Sequence, residues 1–258
     1  MRFNLKKLSL SWNIKESKVE KLKVFFEERA SVFIFFFLVL LSMGNFIYYF
    51  SNGLGLAYND ARSHLDIGRR VVENLQPGFA QLGSVWLPLP HLLMTFTIWD
   101  DFMWHSGLAG AIQSMASFVV TGLLIYLFLK QLGVGIAGRI VGVLVFALNI
   151  NILYMQSTAM TELLLLATMT AACYELLLWH KSEKIFNLIK GAFWIMLSTL
   201  IRYDGWVLLA FAFVLILLHT FRRLGYKHTE GVRVLFCSLG GFGVFLWLIY
   251  SWAIFGHP

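Results

Sequence analysis

Twenty consecutive residues without a charge, Ser31–Phe50, constrain this chain more than anything else in it. A helix of about twenty apolar residues matches the hydrocarbon thickness of a bilayer. Further apolar runs follow at about Met103–Leu129, Ile140–Tyr154, Leu163–Trp179, Ile185–Ile201, Trp206–Phe221 and Val234–Phe255. With 59% hydrophobic and only 14% charged residues, the composition excludes an ordinary soluble domain, which carries about a quarter charged residues. The expectation is an all-α polytopic membrane protein with about seven transmembrane helices. Within the fifth span, Lys190 is placed to snorkel to the interface.

The net charge of +7 lies largely in the first thirty residues, where Lys6, Lys7, Lys15, Lys18, Lys21 and Lys23 alternate with Leu5, Leu8, Val19, Leu22 and Phe26. That pattern suits either an amphipathic helix on an anionic leaflet or a disordered basic tail, and it gives no reason to invoke nucleic acid. We treat 1–30 as a cytoplasmic basic segment and 31–258 as the membrane module. The first span starts too late for a cleavable signal peptide, so it is expected to stay. Cys173 and Cys237 fall inside apolar spans and suggest neither a disulfide framework nor a zinc site.

The long polar insertion is 51–102. Within it, Asn59 or Asp60 is suited to cap a helix, and Ala61, Leu65, Gly68, Val72 and Leu75 share one face until Pro77-Gly78 ends it. This predicts a helix along the membrane surface. Leu87–Trp99 opens on two prolines and is too short to cross, which predicts an interfacial or re-entrant helix.

Basic residues bias a loop towards the cytoplasm. A cytoplasmic N-terminus places Lys130–Arg139, His180–Lys184 and Arg222–Arg233 inside. It places Ser51–Phe102, Met155–Glu162, Arg202–Gly205 and the C-terminus outside. The first outer segment sets Arg62, Arg69 and Arg70 against Asp60, Asp66, Glu73, Asp100 and Asp101. Asp60, Glu162, Arg202 and Asp204 then sit at helix ends on the same outer face, and ionisable groups at membrane depth usually face a polar cavity or one another. Each also has a plainer role available. Asp60 and Glu162 suit helix caps, and Arg202 with Asp204 suits a local ion pair. His64, one turn after Asp60, faces the same way. Two such ligands do not make a metal site, and nothing calls for a metal or a cofactor. Arg69 and Arg70 suit lipid headgroups, water or substrate. Asn149 and Asn151 suit either helix–helix bonds or the same cavity.

The motifs YNDARSHL (Tyr58–Leu65), WLPLPH (Trp86–His91), MTELLL (Met160–Leu165) and LIRYDGW (Leu200–Trp206), in this order, resemble the membrane glycosyltransferases of the GT-C fold. They are most similar to the family-39 group related to protein O-mannosyltransferases and aminoarabinose transferases. The resemblance runs from about Ser31 onward. It implies an integral protein of the plasma (inner) membrane with an extracytoplasmic site, a polyprenyl-phosphate sugar donor lying among membrane lipids, and an acceptor hydroxyl. By this resemblance Asp60 is the catalytic base, and Glu162, Arg202, Asp204, His64, His91 and Arg69 are candidate substrate contacts. Ala61 stands where many relatives have a second carboxylate, and Trp86-Leu87-Pro88 lacks their lysine. Full-length relatives continue with further spans, which implies a minimal, truncated or split member. The alternative class is a non-catalytic transporter or assembly subunit that keeps the fold.

Overall fold

The computed structural model describes residues 29–257, with the side chains at 224 and 226–228 set aside. The basic segment expected over 1–30 lies outside these residues but for its last two. All regular structure among the described residues is helical. Among the described residues, four helices are long and apolar enough to cross a membrane: α1 (Arg29–Ser51), α5 (Leu108–Gln131), α8 (Glu162–Ser182) and the first part of α10, Asp204–Arg223. At 1.5 Å per residue, twenty residues span about 30 Å, one hydrocarbon thickness. Two bent pairs raise the number of candidate spans to as many as six: α6 (Ile136–Ala147) with α7 (Ile150–Gln156), at 64°, and Thr229–Gly240 with α11 (Phe242–Phe255), at 43°. α9 (Ile185–Thr199) is apolar but shorter. The protein is a helical integral membrane protein.

Exposed Phe33, Phe36, Leu40 and Ile47 on α1, and Val207, Phe211 and Leu215 on α10, form apolar surface that lipid would cover. Inside, α8 packs between α5 and α9, and α9 packs on α10. One core gathers Leu38, Phe118, Tyr126, Val143 and Leu163, and a second gathers Ala172, Trp179, Leu188, Ile195, Ile216 and Phe236. Some buried polar groups pair across helices, as a low-dielectric interior favours. Ser42 Oγ on α1 donates to Gln156 Oε1 on α7 at 2.6 Å. Lys190 does not depend on snorkelling: its Nζ meets Glu175 Oε1 of α8 at 2.9 Å, which pairs a nearly buried carboxylate.

Several boundaries differ from expectation. The span expected from Met103 begins at Leu108, because a separate turn, α4 (Asp101–His105), ends at Gly107 with φ +81°. The span expected over Ile140–Tyr154 breaks after Ala147. The cause is Asn149, whose Oδ1 accepts from the backbone N–H groups of Asn151 and Ile152 and so caps a new helix. In the polar insertion, α2 (Asn59–Val72) begins one residue after Tyr58 with no side-chain cap and ends before Pro77. Asp60 therefore lies in its first turn rather than capping it. The buried face of α2 carries Ala61, Leu65 and Gly68 against Met94 and Ile98. α3 is only Leu89–Met94, followed by turns.

Candidate functional site

Three sequence-distant segments are joined above the helix ends. The Leu89 N–H donates to the Leu200 carbonyl at 3.0 Å, tying the Pro-rich step to the α9–α10 turn. Ser114 Oγ donates to the Met160 carbonyl at 2.9 Å, holding the approach to Glu162 against α5. Tyr250 Oη donates to the Phe79 carbonyl at 2.9 Å, fastening α11 to the insertion. Between these attachments lies a cleft of about 380 Å³ walled by His64, Val85, Trp86, Leu87, Thr161, Ile201, Arg202, Tyr203 and Asp204.

Arg202 is the cleft's central charge. Its Nη1 donates to Glu162 Oε1 at 2.9 Å and to Thr161 Oγ1 at 3.3 Å, while Nε donates to Asp204 Oδ2 at 3.3 Å. The guanidinium thus bridges the start of α8 and the start of α10. Glu162 is the first residue of α8 and makes no side-chain cap. Its second oxygen, Oε2, is shielded from solvent and has no hydrogen-bond partner among the described residues. Glu162 is not among the residues walling the cleft; it bonds Arg202, which is, and an unpartnered acceptor is suited to a hydroxyl or amide.

His64 contributes the opposite wall. Its Nδ1 lies 2.9 Å from His91 Nε2, and its ring packs on Trp86 with centroids 4.5 Å apart. His91 is fully buried behind it and does not line the cleft. Burial pushes the His64 ring down to about 4; the Asp60 charge opposes this, and Arg202 adds to it. Burial likewise takes His91 to about 3, with His64 next in effect and the Leu87 carbonyl working against both. Both rings are therefore neutral at pH 7 and offer hydrogen bonds rather than charge.

These folded-state values lie below the ordinary 6.5. The unfolded chain takes up protons first, so the pair's contribution to stability is complete above about pH 6.5 and is lost as the pH falls towards 4 and 3. At about 1.4 kcal/mol per pKa unit, each ring's share of the loss between pH 7 and 4 is on the order of 3 kcal/mol. Melting temperatures in detergent should fall over that interval, and a His64→Gln/His91→Gln variant should show a flatter slope.

Asp60 is exposed, one turn before His64, and is not among the residues walling the cleft. Its charge and that of Arg202 both act on the His64 ring. Arg69 goes elsewhere. Its guanidinium bonds the carbonyls of Ile98 and Trp99 at 2.9 and 2.7 Å and Asp101 Oδ1 at 2.7 Å, pairs with Glu73, and stacks over Trp104. It clips α2 to the segment after α3 and does not wall the cleft. Arg70 is exposed, and its charge reaches His91. Sequence reasoning did not anticipate the His64–His91 pair. Its only signal was two histidines in an insertion otherwise free of them up to His91.

The fold and cleft together define a helical membrane protein with a polar, Arg-centred cleft at the ends of its spans. No protein-family model matches the chain, and no curated protein or solved structure matches it.

Proposed function

We propose that the protein is a membrane glycosyltransferase of the GT-C kind, similar to the family-39 group. It moves a sugar from a polyprenyl-phosphate donor to an acceptor hydroxyl on the extracytoplasmic face. One observation carries this: Arg202 is fixed by Glu162 and Asp204 in a cleft shared with His64 and walled by Val85, Trp86 and Leu87. A guanidinium grips phosphate oxygens in pairs, and one held in place stabilises charge developing on a leaving phosphate. From the cleft, exposed Tyr203, Val207 and Phe211 descend α10 at four-residue spacing, an apolar track for a polyprenyl tail.

The four single spans, the two bent pairs and α9 then make seven crossings. The basic loops after α5, α8 and Arg223 face the cytoplasm with the N-terminus, and the cleft faces outward. In the reaction, the acceptor oxygen bonds to the anomeric carbon as the bond from that carbon to the phosphate oxygen breaks. The proton passes to Asp60, and the electron pair stays on the phosphate beside Arg202. Glu162 Oε2 accepts from a sugar hydroxyl. A single displacement inverts the anomeric centre.

A second reading, a non-catalytic binding or assembly subunit, is favoured by the two carboxylates that already balance Arg202. Purified protein supplied with labelled polyprenyl-phosphate sugars separates the two. Transfer to an acceptor, lowered about a hundred-fold by Asp60→Asn, supports the enzyme. Donor binding without transfer supports the subunit.

A further inference from the structure

α8 and α10 both begin at the cleft, with Glu162 and Asp204, and both run away from it to the other end of the bundle. There a second cavity, about 500 Å³, lies between them, lined by Leu176, Trp179, His180, Leu215, Ile216, Leu218, His219, Arg222 and Arg223. Its lower wall is apolar, and Leu215 and Leu218 are exposed towards the lipid. Its rim is basic.

Among the described residues, Arg222 makes no ion pair, and Arg223 shares only Glu183, at 3.3 Å. His180 Nδ1 and His219 Nδ1 lie 3.1 Å apart, and the His219 ring sits edge-on to Trp179. His219 Nε2 is shielded from solvent and has no partner among the described residues. When His180 Nδ1–H donates to His219 Nδ1, His219 Nε2–H is left as an unused donor.

We propose that this cavity binds the phosphate of an anionic phospholipid. Arg222 and Arg223 neutralise the charge, His219 Nε2–H donates to a phosphate oxygen, and an acyl chain follows Leu218, Leu215 and Leu176 into the membrane. Three observations point to a lipid. A phosphate needs cations and a directed donor together, and both are present. The basic rim opens directly onto apolar wall rather than into a closed polar pocket. The cavity also stands about one bilayer thickness from the cleft along α8, where headgroups lie. The site is independent of any chemistry in the Arg202 cleft.

The test uses the full chain in nanodiscs of phosphatidylcholine containing phosphatidylglycerol, released for native mass spectrometry. Retained phosphatidylglycerol should fall by at least about five-fold in Arg222→Gln/Arg223→Gln, the change expected for one surface cation. Leu218→Trp keeps every charge and fills the cavity; it should lose lipid likewise, and it serves if the double variant does not fold. Lys184→Gln, on the same face but outside the cavity, should retain as much lipid as the wild type. Glycerol phosphate should not displace the lipid. Equal retention by wild type and both cavity variants would overturn the proposal, as would an equal fall in Lys184→Gln. Full displacement by glycerol phosphate would replace the lipid with a soluble phosphate.

Discussion

Arg202→Gln is expected to lower sugar transfer about a thousand-fold, the upper range for removing one preorganised group that stabilises developing charge. The same change leaves Glu162, with one oxygen already unpartnered and shielded, without its cation. Because both side chains keep some solvent contact, the stability cost is about 2 kcal/mol rather than the larger value for a fully buried pair. Adding Glu162→Gln should restore most of the melting temperature and none of the transfer. Measured against Glu162→Gln alone, which keeps Arg202, that loss distinguishes an arginine acting on phosphate from one that only staples α8 to α10. Arg202→Lys keeps the charge but loses the fork that reaches Glu162 and Asp204 together, and it should recover little activity. Recovery of transfer in the double variant would assign Arg202 a purely structural role.

Gly205→Ala is expected to cost about 3 kcal/mol, although it adds a single methyl group. A Cβ at this position would lie 2.3 Å from the Ser198 carbonyl oxygen and 2.8 Å from the Thr199 nitrogen, all of it backbone that has no rotamer to yield. The first turn of α10 rests directly on the last turn of α9. The Trp206 indole donating to the Thr199 carbonyl at 3.0 Å secures it there. Separating the two turns moves Arg202 and pulls on the Leu200 carbonyl that holds Leu89. The melting temperature should drop sharply, with lost transfer as a consequence. A Gly205→Ala protein as stable as the wild type would contradict this packing.

The elements most legible in the sequence were those set by local composition. Ser31–Phe50 lacks charges and lies within α1, which ends at Ser51, one residue past the expected end. Ala61, Leu65 and Gly68 bury part of the expected face of α2 because their spacing matches one helical stripe, whereas Val72 and Leu75, expected on the same face, are exposed because the helix ends at Val72. What depends on tertiary approach was not legible. Lys190 finds Glu175 fifteen positions away, and His64 finds His91 across the insertion. The break at Asn149 carries no proline or glycine; in the sequence Asn149 suits a helix–helix bond or the cavity equally, and in the fold its side chain caps α7 instead. Of the site, the meeting of Glu162, Arg202 and Asp204 followed from placing polar helix ends on one face. Arg69 shares α2 with His64 yet points to Asp101, because five positions turn a helical residue away from its neighbour.

A phosphate group seated against Arg202 is what the proposed transfer requires above all. Binding of labelled polyprenyl phosphate to the purified chain measures this without knowledge of the sugar. Saturable binding that is abolished in Arg202→Gln and kept in Arg70→Gln is the predicted result. Equal binding by wild type and Arg202→Gln would contradict it.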